Sequence, residues 1–326
     1  TYNTILAARI FTGIFGGVIS SVSFAIITDL FPMQVRGRVM GFVQMAFAVS
    51  QVMGLPIGLW LATTFDWHAP FLMIVGLCVP LGIIIALKMQ PVNAHLTIQK
   101  EQDLHAFSHL GNTISKPAYL RAFAATVLMA TGGFMLMPFG SDFTAHNIGI
   151  DIKHQPLIYM VTGLVSLVAG PYIGKLSDKF GKFQTFVAGS ILALLMVLVY
   201  TNMGISPIWA VMLVNVVMMT GVSSRMISSS ALMTAVPDAK DRGAFMAINS
   251  SIQQASGGIA AMVAGLIVIK QPSGHLDRFD VLGYVIAGSM IVMIPLMYVV
   301  HKYVQRKMGK TAGESKIMKK MKFHYK

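Results

Sequence analysis

Long apolar runs dominate this sequence, and they limit the folds that it can adopt. Nine runs of about 20 residues carry almost no charge, and a helix of that length crosses a hydrocarbon core of about 30 Å. The connections between the runs are too short to form a soluble domain. The runs cover residues 5–30, 39–62, 70–89, 119–140, 157–176, 183–202, 207–231, 243–269 and 281–301. The sequence therefore predicts an all-α membrane protein.

Composition agrees with this prediction. Charged residues make up 11% of the 326-residue chain, against about 25% in an ordinary soluble domain. The single cysteine, Cys78, lies in an apolar run, so an intrachain disulfide is excluded. Carboxylate pairs or metal ligands spaced for catalysis are absent from the sequence, which argues against an enzyme. His105 and His109 have no third zinc ligand at a fitting spacing, so no metal site is expected.

The distribution of basic residues predicts an orientation. The net charge is +13, and when loop 174–182 is placed in the cytoplasm, 20 lysines and arginines lie inside and 3 lie outside. Such a bias follows the positive-inside rule of membrane proteins. The basic tail, residues 303–326, is then expected in the cytoplasm near anionic lipid. Nucleic-acid binding is the weaker interpretation of the charge.

A short motif occurs twice, about 205 residues apart. An apolar helix end, a proline, a polar turn and Arg-Gly-x-x-Met follow one another at residues 28–40 and again at 233–246. Proline cannot continue a helix, so each copy predicts a turn between two spans, and the pair predicts duplicated halves. The second copy joins spans 207–231 and 243–269, which three spans of the second half precede, whereas no span precedes the pair 5–30 and 39–62 that the first copy joins. We therefore expect three spans to be missing before Thr1.

The loop that runs from Gly174 to Lys182 connects two apolar runs and reads Gly-Lys-Leu-Ser-Asp-Lys-Phe-Gly-Lys. Its order of glycine, aspartate, base, glycine and base resembles the signature loop of the major facilitator superfamily of membrane transporters. Segments 9–13, 54–58 and 67–71 are similar to motifs of the drug/proton antiporters and arabinose-efflux-type permeases of that family. His68 stands where those proteins usually have arginine.

The resemblance implies the major facilitator fold, with nine of its twelve transmembrane helices present, the fourth to the twelfth. The expected domains are the end of an N-terminal half at 1–89, a cytoplasmic linker at 90–118, a C-terminal half at 119–302 and the basic tail. The implied function is secondary active transport by alternating access, with efflux of a small organic solute (drug, sugar or metabolite) by proton antiport. An uptake symporter or facilitator is the alternative, and a non-transporting receptor or assembly factor is the hypothesis from another class.

The resemblance also implies a monomer in the plasma (inner) membrane, with lipid and a small-molecule substrate as partners. It implies no bound cofactor, since a proton gradient could supply the driving force. All twelve acidic residues lie in loops, tails or helix ends. A proton carrier within this chain would therefore be Asp29 or Asp142, unless it lies in the missing spans or coupling is absent.

A gating role is implied for residues around the signature loop. Asp178 is expected to dock where the span after Gly37 begins, because free backbone N–H groups and the helix dipole favour negative charge there. Asp29 is expected to pair with a base in the missing segment between the second and third helices. The complete gating set is Gly174, Asp178, Lys179, Gly181, Lys182, Asp29, Arg36 and Arg242. For the lysines of the loop, membrane topology alone is the competing interpretation.

Polar residues within the apolar runs are candidates for a substrate cavity, because they avoid lipid tails. The candidates are Arg9, Gln44, Gln51, Asn215, Arg225, Asn249 and Gln253. The amides could equally bond across packed helices. The arginines are more informative, since a cation in the bilayer centre costs about 2.5–3.5 kcal/mol. For Arg9, the alternative is that its side chain reaches the outer interface.

Overall fold

A computed structural model of the chain describes residues 2–88 and 111–324. Most of the predicted linker, with His105 and His109, lies outside the described residues, as do the side chains of Arg9 and of the tail beyond residue 309. The helices are α1 (Tyr2–Leu30), α2 (Arg36–Val49), α3 (Leu55–Thr64), α4 (Ala69–Lys88), α5 (Pro117–Phe134), α6 (Gly140–His146), α7 (Gln155–Phe180), α8 (Lys182–Thr201), α9 (Ile208–Met233), α10 (Arg242–Ile267) and α11 (Phe279–His324). Between α10 and α11, β1 (Ile269–Lys270) and β2 (Leu276–Asp277) pair as an antiparallel hairpin.

Seven of the described helical stretches are long and apolar enough to cross a membrane, which agrees with the predicted all-α membrane fold. They are Asn3–Leu30, Arg36–Ala62, Ala69–Lys88, Ile152–Phe180, Lys182–Thr201, Ile208–Met233 and Phe279–Gly309. The other two predicted spans, 119–140 and 243–269, are helical as α5 and α10 but are not among these seven. α10 carries many serine, asparagine and glutamine residues, and α5 ends at Phe134, earlier than expected.

Prolines shape the helix boundaries. Pro32 lies in the turn between α1 and α2, and Pro237 lies in the matching turn between α9 and α10. Within the second span, Ser50–Gly54 form a π-helical segment that joins α2 to α3. Pro56 follows this segment and has no N–H to donate to the preceding turn, which is a known cause of such interruptions.

The two predicted halves pack against each other through α1 and α2. Helix α1 packs on α10, and α2 packs on α7 and α9. In the C-terminal part, α5 packs on α10 and α11, and α8 packs on α9 and α11. We call the end that contains turns 31–35, 181 and 234–241 the basic end, and the end that contains α6, β1 and β2 the hairpin end.

The C-terminal part has one apolar core near each end. At the basic end, Phe123 stacks on Phe245 with ring centroids 4.9 Å apart. At the hairpin end, Phe143 stacks on Phe279 at 3.9 Å. Buried aromatic pairs of this kind contribute both apolar area and specific ring contacts. They hold α5, α10 and α11 in place around the site described next.

Candidate transport gate and cavity

The carboxylate of Asp178 binds the first turn of α2. Its Oδ1 accepts a hydrogen bond from the backbone N–H of Gly37 at 2.9 Å, and its Oδ2 accepts one from Arg38 at 2.8 Å. These N–H groups have no partner within their own helix, and the helix dipole adds a favourable field. Lys182 donates to the same carboxylate at 2.9 Å. The geometry thus joins α7 to α2 through one side chain, at the helix start that the sequence predicts.

Glycines let α2 and α7 approach closely enough for this contact. A Cβ on Gly174 would lie 2.5 Å from the carbonyl oxygen of Gly37, and one on Gly41 would lie 2.6 Å from that of Gly170. Both obstacles are backbone atoms, so they cannot rotate away. The four-residue spacing on each helix places the glycines in one row, as in small-residue helix contacts within membranes.

Gly181 ends α7 and directly precedes α8. Its φ is +106°, a conformation that favours glycine. This sharp junction places Lys182 at the start of α8, where it reaches Asp178. Lys179 is exposed and lies over the ring of Phe180 at 5.3 Å, away from the carboxylate. Of the loop lysines in the gating set, Lys182 therefore belongs to the contact and Lys179 stands outside it.

A second contact links α1 to α10. Arg242 Nη1 donates to Asp29 Oδ1 at 2.7 Å, with both side chains mostly shielded. The pairing of Asp29 with a base in the segment between the second and third helices stays a prediction. Within the described chain, Asp29 has a partner that was not predicted, Arg242, which lies 213 positions away and is brought close only by the fold.

Arg36 makes the third contact across the same boundary. Its guanidinium is buried and donates to the carbonyl oxygens of Thr28 at 2.8 Å, Phe31 at 2.9 Å and Thr234 at 3.1 Å. Thr234 precedes Pro237 by three residues, as Asp29 precedes Pro32. The two contacts are therefore reciprocal: the arginine of each repeat binds the residue that precedes the proline of the other repeat. This exchange follows from the duplication, but sequence spacing alone did not reveal it.

A polar cluster next to this boundary was not anticipated from the sequence. Asp241 accepts hydrogen bonds from Lys116 and from Tyr119, the latter at 2.8 Å. Lys307 pairs with Asp238 at 2.7 Å and donates to the carbonyl oxygen of Pro237 at 2.7 Å. Burial raises the pKa of Asp241, but the bonds from Lys116 and Tyr119 outweigh it and hold that pKa below its usual value. The cluster fixes the turn from which α10 and Arg242 begin.

A cavity lies next to the contact between Arg36 and Thr234. It holds about 450 Å³ of empty space, open solvent at its mouth included. The lining combines one aromatic ring with thioethers, hydroxyls and amides: Phe24, Thr126, Met129, Met226, Ser229, Ser230, Met233, Thr234, Met246, Asn249 and Gln253. Thr234 belongs both to this lining and to the contact with Arg36. The cavity is formed by α1 from one half and by α5, α9 and α10 from the other.

The cavity contains two of the seven predicted residues, Asn249 and Gln253. Asn249 accepts a hydrogen bond from Thr126 at 2.5 Å. Gln51 lies in the π-helical segment, where this segment contacts α7 beside Gly163. Asn215 donates to the carbonyl oxygen of Val211 in its own helix.

Gln44 is half-buried outside the lining, and Arg225 is buried inside the C-terminal part. Helical periodicity can place such polar residues on an inward face of a helix. Periodicity alone does not distinguish a residue that lines the cavity from a residue in a contact between two helices.

Comparisons with known proteins find relatives of this chain in sequence and in fold. A family model described as Major Facilitator Superfamily matches residues 1–139 and again 122–323. The uncharacterized MFS-type transporter YceJ of Bacillus subtilis is 26% identical over 153 residues, which cover 47% of this chain and 38% of YceJ. Multidrug resistance protein 3 of Bacillus subtilis is 35% identical over 71 residues, 22% of this chain and 14% of that protein. The chain thus spans well under two thirds of either relative.

A solved structure shares the fold. It is the transporter FucP of the same superfamily in the outward conformation, with a TM-score of 0.61 and 12% sequence identity. The match covers 85% of this chain and 72% of FucP. The two separate matches of one family model agree with the internal repeat that the sequence predicted.

Proposed function

Because this chain belongs to the Major Facilitator Superfamily, we propose that it is a membrane transporter, not an enzyme, which exports a small organic solute in exchange for protons. The observation that carries the proposal is the reciprocal gate at the basic end, where Arg36 meets Thr234 and Arg242 meets Asp29. Such a gate closes one side of a cavity that lies between two halves. Alternating access needs this arrangement, with the halves rocking about the cavity.

The closed side is the cytoplasmic side in this proposal. The bias of 20 basic residues to 3 supports it through the positive-inside rule. The closed gate then belongs to an outward-facing state, the conformation in which FucP was also solved. Asp178 of α7 stabilises this state through its bonds to the start of α2, and these bonds must break when the cytoplasmic side opens. The membrane concerned is the plasma (inner) membrane, and the working unit is a monomer.

Proton coupling is proposed to act through the gate. Among the described residues, Asp29 is the carboxylate whose ion pair with Arg242 joins α1 to α10. Protonation of Asp29 would remove the charge that holds Arg242 and would favour opening. Asp142 lies at the hairpin end, paired with Lys270 at 2.6 Å, and it is the less direct candidate. Export is supported by the sequence motifs shared with drug/proton antiporters and by the name of multidrug resistance protein 3.

Transport in proteoliposomes with a trapped pH-sensitive dye tests this function. Chloramphenicol and ethidium serve as a neutral and a cationic probe, because the cavity lining carries no charged side chain among the described residues. We expect at least one probe to cross against a flow of protons. Flow of protons with the probe would instead indicate a symporter. Absence of any probe-dependent flux would favour a non-transporting receptor.

The same assay tests the gate. Asp178→Asn keeps the shape of the side chain and removes its charge, so transport should fall while insertion into the membrane stays normal. Asp151→Asn is a matched control, since Asp151 is an exposed carboxylate that caps a short helix at the other end of the bundle. Equal transport by both variants would remove the gating role.

A further inference from the structure

Arg225 is a buried cation that has no anionic partner among the described residues. It lies on α9 with 2% of its surface exposed. Its Nη2 lies 3.4 Å from the sulfur of Met293, a weak acceptor, and its Nε has no hydrogen-bond partner in the described part of the chain. The ion pairs found within residues 2–88 and 111–309 all involve other side chains. An arginine stays protonated in proteins, so a full positive charge is enclosed there.

An unpaired buried charge is the least favourable arrangement that this side chain could have. Desolvation of an ion is expensive, and it is offset only when an opposite charge and hydrogen bonds accompany it. Ionisable residues within membrane spans are rare and mark functional sites by default. The described chain supplies no counter-charge for Arg225, so an anion from solution would be needed to neutralise it.

A hydroxyl and a glycine lie beside the guanidinium. At the position that a Cβ would take on Gly132 of α5, the nearest atoms are Arg225 Nη1 and Met290 Cε at 3.6 Å and Ser289 Oγ at 3.8 Å. The missing side chain of Gly132 thus leaves a methyl-sized gap that faces a guanidinium and a hydroxyl. Ser289 now donates to Ile286 in its own helix at 2.7 Å, and a hydroxyl can rotate to donate to a new acceptor.

We propose that the C-terminal part binds a small monovalent anion between Arg225, Ser289 and Gly132. The ligand is a halide or the carboxylate of a small solute, since both present one negative charge to the fork of a guanidinium. Arg225, Ser289 and Gly132 do not belong to the lining of the cavity at the basic end, which takes Met226, Ser229, Ser230 and Met233 from α9. Anion binding here therefore does not depend on the direction or substrate of transport.

Thermal unfolding of the purified chain in detergent tests the site. Sodium gluconate, whose anion is bulky, is exchanged for sodium chloride or sodium acetate at constant ionic strength. A ligand that binds only the folded state raises Tm, and a concentration of about five times Kd should raise it by about 1–2 °C in a chain of this length. A response to chloride alone identifies a halide site, and a response to acetate as well identifies a carboxylate site. Equal Tm in all three salts would overturn the proposal.

Three variants make the test specific. Arg225→Met removes the charge and should abolish the response. Gly132→Ala adds a methyl group that meets its neighbours at ordinary contact distance, so it should fold and yet weaken the response because the methyl fills the gap beside Arg225 Nη1. Arg121→Met is the control, because Arg121 is exposed at the start of α5. An unchanged response in both Arg225→Met and Gly132→Ala would place the anion elsewhere and refute the assignment.

Discussion

Gly37→Ala and Gly243→Ala form a matched pair that tests the contact between α2 and α7. Both glycines follow the arginine of a repeat, and both lie in the first turn of a helix. A Cβ on Gly37 would lie 2.5 Å from Asp178 Oδ1 and 2.8 Å from the carbonyl oxygen of Gly174, whereas one on Gly243 meets nothing within 4 Å. The same substitution is therefore obstructed at one position and free at the other.

The size of the effect follows from these distances. Ordinary contact begins near 3.4 Å, so the methyl group of Gly37→Ala requires a shift of about 0.6 Å from Gly174 and about 0.9 Å from the carboxylate. The bonds of Asp178, now 2.9 and 2.8 Å, would lengthen beyond the usual limit of about 3.2 Å. A hydrogen bond to a charged group contributes about 1.5–3 kcal/mol. A loss of about 2 kcal/mol corresponds to a factor of about 30 in the opening equilibrium.

Amide hydrogen exchange measures this opening at the bond itself. In the unsubstituted protein, the Arg38 amide is protected by Asp178, and its exchange reports the free energy of local opening. The Arg38 amide, followed within peptides that cover residues 33–44, should exchange about 30 times faster in Gly37→Ala. Gly243→Ala should leave these peptides unchanged. Equal exchange in Gly37→Ala and the parent protein would show that the close packing of α2 on α7 does not hold this bond.

Three further predictions concern the neighbouring contacts. Asp29→Asn should loosen the ion pair with Arg242 and speed exchange in residues 24–36, and the double variant Asp29→Arg, Arg242→Asp should restore protection; continued fast exchange would refute a direct pair. Asp241, whose folded pKa is lowered, stabilises the fold above its unfolded pKa of about 3.9 and loses this contribution as pH falls through the folded pKa. Between pH 7 and pH 3, the Tm of Asp241→Asn should therefore decrease less steeply than that of the parent protein. An equal decrease of Tm in both proteins would contradict this. Phe245→Ala should reduce the free energy of unfolding by about 3–5 kcal/mol, measured by thermal or denaturant melting, because Phe245 is fully buried against Phe123; a loss below about 1 kcal/mol would show that this core is not well packed.

The fold was largely readable from the sequence, because the bilayer imposes one simple requirement. A span needs about 20 apolar residues with internally satisfied backbone groups, and such runs are visible without any structure. Proline turns and the repeated Arg-Gly motif then indicated the duplication. Spans 119–140 and 243–269 are the two predicted spans that are not among the seven apolar stretches of the described residues, and α5 and α10 both line the cavity with polar residues. A helix with one face in contact with water in a cavity carries more polar residues than a helix that faces lipid.

The gate was only partly predictable. The charge of Asp178 and the unpaired N–H groups of a helix start follow local rules, so their encounter could be anticipated. The contacts that Arg36 and Arg242 each make with the opposite repeat could not be anticipated. They depend on how α1 and α10 are brought together across 213 residues. The same limit applies to Arg225: periodicity indicated that it faces inward, and only the packing of α5 and α11 showed that its charge has no partner among the described residues.

The central claim is that the two repeats separate at the basic end during the working cycle. Spin labels at Gln34→Cys and Lys240→Cys test it directly, in a Cys78→Ser background, because both positions are exposed and occupy matching turns of the two repeats. In liposomes, we predict a short and a long distance between the labels, with the long one favoured by Asp178→Asn. A single distance that stays the same in the parent protein and in Asp178→Asn would contradict the claim.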